Sequence, residues 1–168
     1  MAGKQTPGRN NRGMRLIRRL IFRFTQINNR RRLLLLEAVP CLLAARLALI
    51  FVPFPQLARR LGTFVSPTDP RAARTENKAA REQAQVAEEV GWAVTRAARY
   101  VPFKAVCLPQ AMAARGMLRR RSIDSVMHFG ATKGTEKPLD AHAWLDAAGV
   151  EVTGYPVGNM FAEIACFV

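Results

Sequence analysis

The amino-acid sequence predicts an α+β fold, with helices first and a small antiparallel sheet last. Apolar residues recur at helical spacing as far as Leu118, then alternate with polar ones in four short runs between Ser125 and Val168. A chain of 168 residues holds one domain's worth of core, so the helices and the sheet are expected to pack on each other. Residues 1–32 read as a basic, partly disordered arm. Residues 33–168 read as the domain, with a helical part over 33–100 and a site-bearing part over 101–168.

The elements follow in order. Residues 1–13 are polar, glycine-containing and basic, the composition of a disordered segment. Met14 to Ile27 interleaves Arg with Leu, Ile and Phe, a short basic amphipathic helix suited at most to weak contact with a membrane surface or a partner. Asn28-Asn29 breaks that pattern. Leu33 to Val52 then reads as one strongly apolar helix. Glu37 and Arg46 within it each cost roughly 2.5–3.5 kcal/mol near a bilayer centre, and Pro40 interrupts it, so the prediction is a buried helix of a soluble protein rather than a membrane span. Pro53-Phe54-Pro55 stops it before a short turn of helix at Gln56–Leu61.

Gly62 to Pro70 is rich in turn formers and reads as a loop. Thr68-Asp69-Pro70 offers a cap for a long helix from Arg71 to Tyr100, whose Val86, Val90, Ala93, Val94 and Ala97 make one buried stripe. Val101-Pro102-Phe103 ends it. A further helix runs from Cys107 to Leu118, with Pro109 in the first turn, where a missing N–H costs nothing. Ser125–Ala131, Leu139–Ala147, Val150–Thr153 and Met160–Val168 read as strands. The Thr132–Pro138 loop and the Ala148-Gly149 turn separate the first three.

The net charge of +14 is uneven: residues 1–36 carry ten Lys or Arg and no acid. Such an arm suits acidic partners, or is simply a solvated tail. Nucleic acid ranks last among those partners, because the arginine runs lack interleaved aromatics beyond Phe22 and Phe24. Three cysteines, an odd number without a secretory signal pattern, predict free thiols in a reducing, cytoplasmic compartment. Two histidines and three scattered cysteines offer no ligand pair at zinc spacing, so neither metal nor other cofactor is expected.

The chemistry concentrates between Cys107 and Trp144. Cys107 opens its helix, where unpaired N–H groups and the positive end of the helix dipole gather, the setting of a nucleophilic cysteine. Asp140-Ala141-His142-Ala143-Trp144 alternates as a strand, putting His142 and Trp144 on one face. A helix-terminal Cys followed by a strand-borne His is the order of the papain and transglutaminase architecture, in which the two meet across the helix–sheet seam. Cys107 is thus the expected nucleophile and His142 the general base, with the Cys107 N–H as oxyanion donor. Gln110, one turn further in, is a second candidate donor or a structural residue. Trp144 is expected to pack against the Cys helix beside the substrate pocket. His128 is the rival base, expected to be exposed, because Met127 and Phe129 alternate with it.

The frame Cys107-Leu108-Pro109-Gln110-Ala111, then Leu118-Arg119-Arg120-Arg121-Ser122-Ile123, Phe129-Gly130, and Ala141-His142-Ala143-Trp144 followed by Gly149 resembles the transglutaminase-like cysteine proteases of lasso-peptide biosynthesis, the B proteins. The apolar helix ending in Pro53-Phe54 and the helix entering Val101-Pro102-Phe103 extend the resemblance over residues 33–168. It implies a cysteine protease that removes the leader from a ribosomally made precursor before a separate ATP-dependent cyclase closes the ring. It also implies a separate winged-helix-like leader-recognition protein (an RRE protein), because residues 1–32 are too short and too basic to be that module. Acyl transfer to an amine, as in transglutaminases, is the alternative chemistry at the same site, and a non-catalytic basic binding module is the second alternative.

The family usually carries an Asp about twelve residues beyond the His, to hold the imidazole. Here the hairpin count puts Gly154 or Tyr155 there, and Gly154 has no side chain to offer. Asp140, two residues from His142 on the same strand face, is the candidate orienting acid. Asp146 shares that face but lies further along it.

Overall fold

The computed structural model describes residues 28–72, 81–133, 140–157 and 161–168. The chain divides into two units, the first ending at Leu33 and the second running from Leu34 to Val168. The expectations for residues 1–13 and 14–27 lie outside the described residues, as do those for 73–80, most of the Thr132–Pro138 loop, and residues 158–160.

The first helix, α1, runs from Asn29 to Phe51, starting earlier than the hydrophobic pattern alone predicts. Asn28 Oδ1 accepts the Arg30 N–H at 3.4 Å, the service an N-terminal asparagine performs. The helix continues through Pro40. It is long and apolar enough to cross a membrane, but the prediction of a buried helix needs correction. Leu34, Ala38, Leu42 and Ala45 are buried, whereas Leu36, Val39, Leu43, Leu47 and Ile50 are between 43% and 61% exposed. Among the described residues, only one stripe of the helix is buried, and the apolar residues outside that stripe are exposed.

Glu37 also ties α1 to the domain, accepting hydrogen bonds from Arg120 at 2.7 Å and Arg121 at 2.6 Å. The short helix α2 spans Phe54–Leu61. Inside the predicted Gly62–Pro70 loop lies a two-residue strand, β1, Phe64–Val65, which pairs with the last strand of the chain. No local pattern marks two residues as a strand; the partner makes them one. Asp69 accepts the Arg71 backbone N–H at 2.9 Å and its guanidinium at 2.8 Å; the start of the helix it is predicted to cap falls largely on residues 73–80, outside the described residues.

Helix α3, described from Arg81 to Ala98, buries Val90, Ala93, Val94 and Ala97 of the stripe that the spacing predicts; Val86 is half-buried against the same core, and Ala87 beside it is fully buried. Helix α4, Cys107–Arg119, packs Ala111, Ala114, Met117 and Leu118 into the same core. Four more strands follow: β2 (Ser125–Thr132), β3 (Asp140–Ala147), β4 (Val150–Thr153) and β5 (Ala162–Phe167). They make one antiparallel sheet with β1, in the order β1-β5-β2-β3-β4. Mixed helices and an antiparallel sheet confirm the α+β class.

Pleating gives the sheet two different faces. Met127, Leu145, Ala147 and Phe167 enter the core made with α1, α3 and α4. The regular register of β2 and β3 puts the residues between them, His128 opposite Trp144 and Gly130 opposite His142, on the other face. That second face carries most of the polar groups of the sheet.

Candidate active site

Cys107 is the first residue of α4, preceded by Val106 in an extended conformation. Its side chain is half-buried and its thiol is free. The turn that presents it is braced from within the helix: Gln110 donates its side-chain amide hydrogen to the Ala105 carbonyl at 2.6 Å. That bond ties Gln110 to the backbone ahead of the helix, so of the two roles predicted for it the structural one describes its contacts.

His142 is half-buried on β3 and held from three sides. Its Nε2 lies 2.6 Å from the Gly154 carbonyl. Because a carbonyl only accepts, Nε2 carries the hydrogen, and in the neutral ring Nδ1 is left with the lone pair. Trp144 stacks at 6.0 Å and Phe161 lies tilted at 5.2 Å, so the ring is gripped as well as hydrogen-bonded.

The acid predicted to orient this ring does not touch it. Asp140 is exposed at the start of β3, opposite Thr132, and forms no hydrogen bond with His142 among the described residues. Gly154 orients the imidazole instead, with its main chain. Its φ is +86°, and a Cβ there would lie 2.5 Å from the Ala143 carbonyl oxygen and 2.8 Å from the Trp144 Cα. The backbone passes β3 so closely that a side chain, the family's aspartate included, does not fit.

Trp144 departs from its prediction too. It lies on the face away from the core helices, between His128 at 5.5 Å and His142 at 6.0 Å. Gly130 makes room for it: a Cβ on Gly130 would come within 2.9 Å of the indole ring. His128, predicted to be exposed, is 7% exposed. Being on β2, with β3 and β5 on either side, puts it in the middle of the sheet, where Trp144 covers it.

Around His128 is a cluster that the linear sequence does not show. Glu163 Oε1 is 2.5 Å from its Nδ1, and Asp146 Oδ2 is 3.4 Å from its Nε2. Cys166 Sγ lies 3.5 Å from Nδ1. This is a Cys–His–acid grouping, but its cysteine is a poor nucleophile. Burial, with Glu163 adding to it, pushes the Cys166 thiol up to about 12, so near neutrality it stays protonated.

Cys107 and His142 are not hydrogen-bonded to each other among the described residues. By the pleat of β3, His142 stands on the face of the sheet away from Met127 and Leu145, which pack in the core with α4. A cleft of about 710 Å³ lies elsewhere, beside Arg60, Arg115, Ser125 and Ala147, at the far end of β2 and β3 from His142.

The family model described as the transglutaminase-like superfamily matches residues 48–166. The chain belongs to the transglutaminase-like superfamily. Its members are in general cysteine peptidases or acyltransferases, and the match spans both Cys107 and His142. No curated protein and no solved structure matches the chain. In this transglutaminase-like domain the orienting contact comes from the Gly154 carbonyl. The spacing marks the position, twelve residues beyond His142, but a search for a side-chain acid passes over a backbone oxygen.

Proposed function

We propose that this transglutaminase-like domain is a cysteine peptidase that removes the leader of a ribosomally made lasso-peptide precursor, with Cys107 as nucleophile and His142 as base and then acid. The observation that carries the reading is the held imidazole. A ring fixed through Nε2–H to a carbonyl presents Nδ1 as the proton acceptor, which is the task of a general base. Cys107 at the start of α4 supplies the thiol, with its own N–H beside the developing oxyanion.

In this mechanism His142 Nδ1 takes the Cys107 proton as sulfur attacks the scissile carbonyl. The C–N bond then breaks as the same proton passes to the leaving amine, which leaves a thioester on Cys107. Water, deprotonated by Nδ1, attacks the thioester and frees the leader carboxylate. This mechanism requires the Cys107 thiol to meet Nδ1 in the substrate complex, and the paired loss of activity in the variants below is the test of that contact. The partners we propose are a separate leader-recognition protein and an ATP-dependent cyclase that uses the new N-terminus, all in the cytoplasm.

The test is mass spectrometry of a precursor peptide incubated with the protein and its leader-recognition partner. A free leader carboxylate and a core peptide with a new N-terminus are expected, both lost in Cys107→Ala and His142→Ala. A leader carrying an added amine identifies the acyl-transfer chemistry of the superfamily instead. Unchanged cleavage by Cys107→Ala overturns the assignment of the nucleophile.

A further inference from the structure

We propose that His128, Glu163 and Cys166 form a binding site for a zinc-class divalent cation, on the sheet face that carries His142. These residues offer a nitrogen, an oxygen and a sulfur whose ligand atoms all lie within 4.8 Å of one another. The Cys166 Sγ to His128 Nδ1 distance is 3.5 Å. A tetrahedral ion with Zn–S near 2.3 Å and Zn–N near 2.05 Å sets its sulfur and nitrogen ligands roughly 3.5 Å apart. Glu163 Oε1 is closer than such an ion allows, 2.5 Å from Nδ1 and 2.9 Å from Sγ. Its carboxylate would have to retreat by somewhat under ~1 Å. Its side chain is 32% exposed, so it has room to do so.

The fold aims these groups deliberately. Glu163 and Cys166 are three residues apart, a spacing that in a regular strand puts side chains on opposite faces. The pairing of β5 with β2 skips Ile164, since Phe129 faces Ala165 and Gly130 faces Glu163. That bulge turns Glu163 to the same face as Cys166, the re-aiming that bulges accomplish beside functional sites. Behind the ring of His128 stands a carboxylate. The far nitrogen of the ring faces Asp146 at 3.4 Å, and Tyr155 donates its hydroxyl hydrogen to Asp146 at 2.5 Å. A carboxylate behind the imidazole is the usual companion of a ligating histidine, and Asp146 stands in that place, within ion-pair distance though not hydrogen-bonded to Nε2.

The ion replaces protons. On binding, the Cys166 thiol and the Nδ1–Glu163 hydrogen bond give up theirs to the solvent, and the remaining coordination position opens past Glu163 to water. Trp144 stacks on both His128 and His142, so the site stiffens the platform under the base without joining the chemistry.

The test is a titration of the full-length protein with Co²⁺, which takes zinc sites and reports a thiolate ligand by charge-transfer absorption in the near ultraviolet. One equivalent should give that band, with Zn²⁺ competing it away and raising the melting temperature. Cys166→Ala should abolish the band, whereas Cys41→Ala and Cys107→Ala should keep it. Because Cys166 is fully buried, Glu163→Gln at the rim serves as the second variant, expected to weaken Co²⁺ binding at least tenfold while the protein stays folded. No thiolate band in the wild-type protein, a band that survives Cys166→Ala, or one lost in Cys107→Ala overturns the proposal.

Discussion

Gly154 combines a left-handed backbone with a carbonyl aimed at His142, and the two depend on each other. Its φ of +86° lets the chain pass within a Cβ's width of Ala143 and Trp144, and that approach puts the oxygen 2.6 Å from Nε2. Gly154→Ala is therefore expected to cost about 1–3 kcal/mol of stability from strain and displacement. It should also slow precursor cleavage at least tenfold through a mispositioned imidazole. Asp140→Asn is expected to change the rate less than about twofold, since Asp140 has no bond to the ring and exposed substitutions are usually near neutral. Urea unfolding and cleavage rates of the two variants check this. A dead Asp140→Asn beside an active Gly154→Ala returns the orienting role to the acid.

At the scale of elements, α1 shows how one helix can be core on one side and surface on the other. Leu42 is fully buried, whereas Leu43, the next residue, is 44% exposed. Leu42→Ala should cost about 2–5 kcal/mol, the range for a buried leucine, while Leu43→Ala should cost well under half of that. Thermal unfolding of the pair distinguishes a helix docked by one stripe from one buried all round.

The clasp between α1 and the end of α4 has a pH signature. Hydrogen bonding to Arg121 holds the Glu37 carboxyl below the usual range, burial opposes this, and Arg120 adds to the lowering. A depressed carboxyl contributes stability above its unfolded pKa and loses it as pH falls towards the folded value. Glu37→Gln should thus be less stable than wild type near neutrality and lose less on acidification below about pH 4.5. With Arg120 half exposed, the difference should stay under about 1 kcal/mol. Equal acid sensitivity in the two proteins removes the clasp from the stability balance.

For the molecule as a whole, the net charge is concentrated at one end of the sequence, since residues 1–36 hold no acid. Ten of the 26 Lys and Arg fall in residues 1–36, and the larger unit begins at Leu34. Deleting residues 1–13 is expected to leave the melting temperature within a degree or two, roughly the effect of 0.5 kcal/mol or less. The same deletion should slow encounter with an acidic leader or partner at low salt, and the difference should fade as salt is raised. Cleavage rates measured over a salt series decide it: identical curves for the two proteins make the arm a bystander, and loss of the folded state moves the boundary of the domain.

Local pattern alone determined the order and type of the main elements, because apolar periodicity is the imprint of one buried face on a helix or a strand. It put Cys107 at a helix start and His142 beside Trp144 on one face of a strand, since both follow from residues a few positions apart. Only the tertiary structure decided which face of the sheet meets the helices, and so that His142 and Trp144 stand away from the core. Strand order brought His128 to the middle of the sheet, against a prediction of exposure, and gave Phe64–Val65 a partner that made a strand of a predicted loop. The bulge at Ile164 gathered Glu163 and Cys166 around His128, although alternation along the strand separates them. The orienting contact fell to a carbonyl, which every residue possesses and which acquires a role only from where the chain passes. Each of these features rests on pairing between distant segments, and the physical information for them lies in the packing rather than in any single stretch of residues.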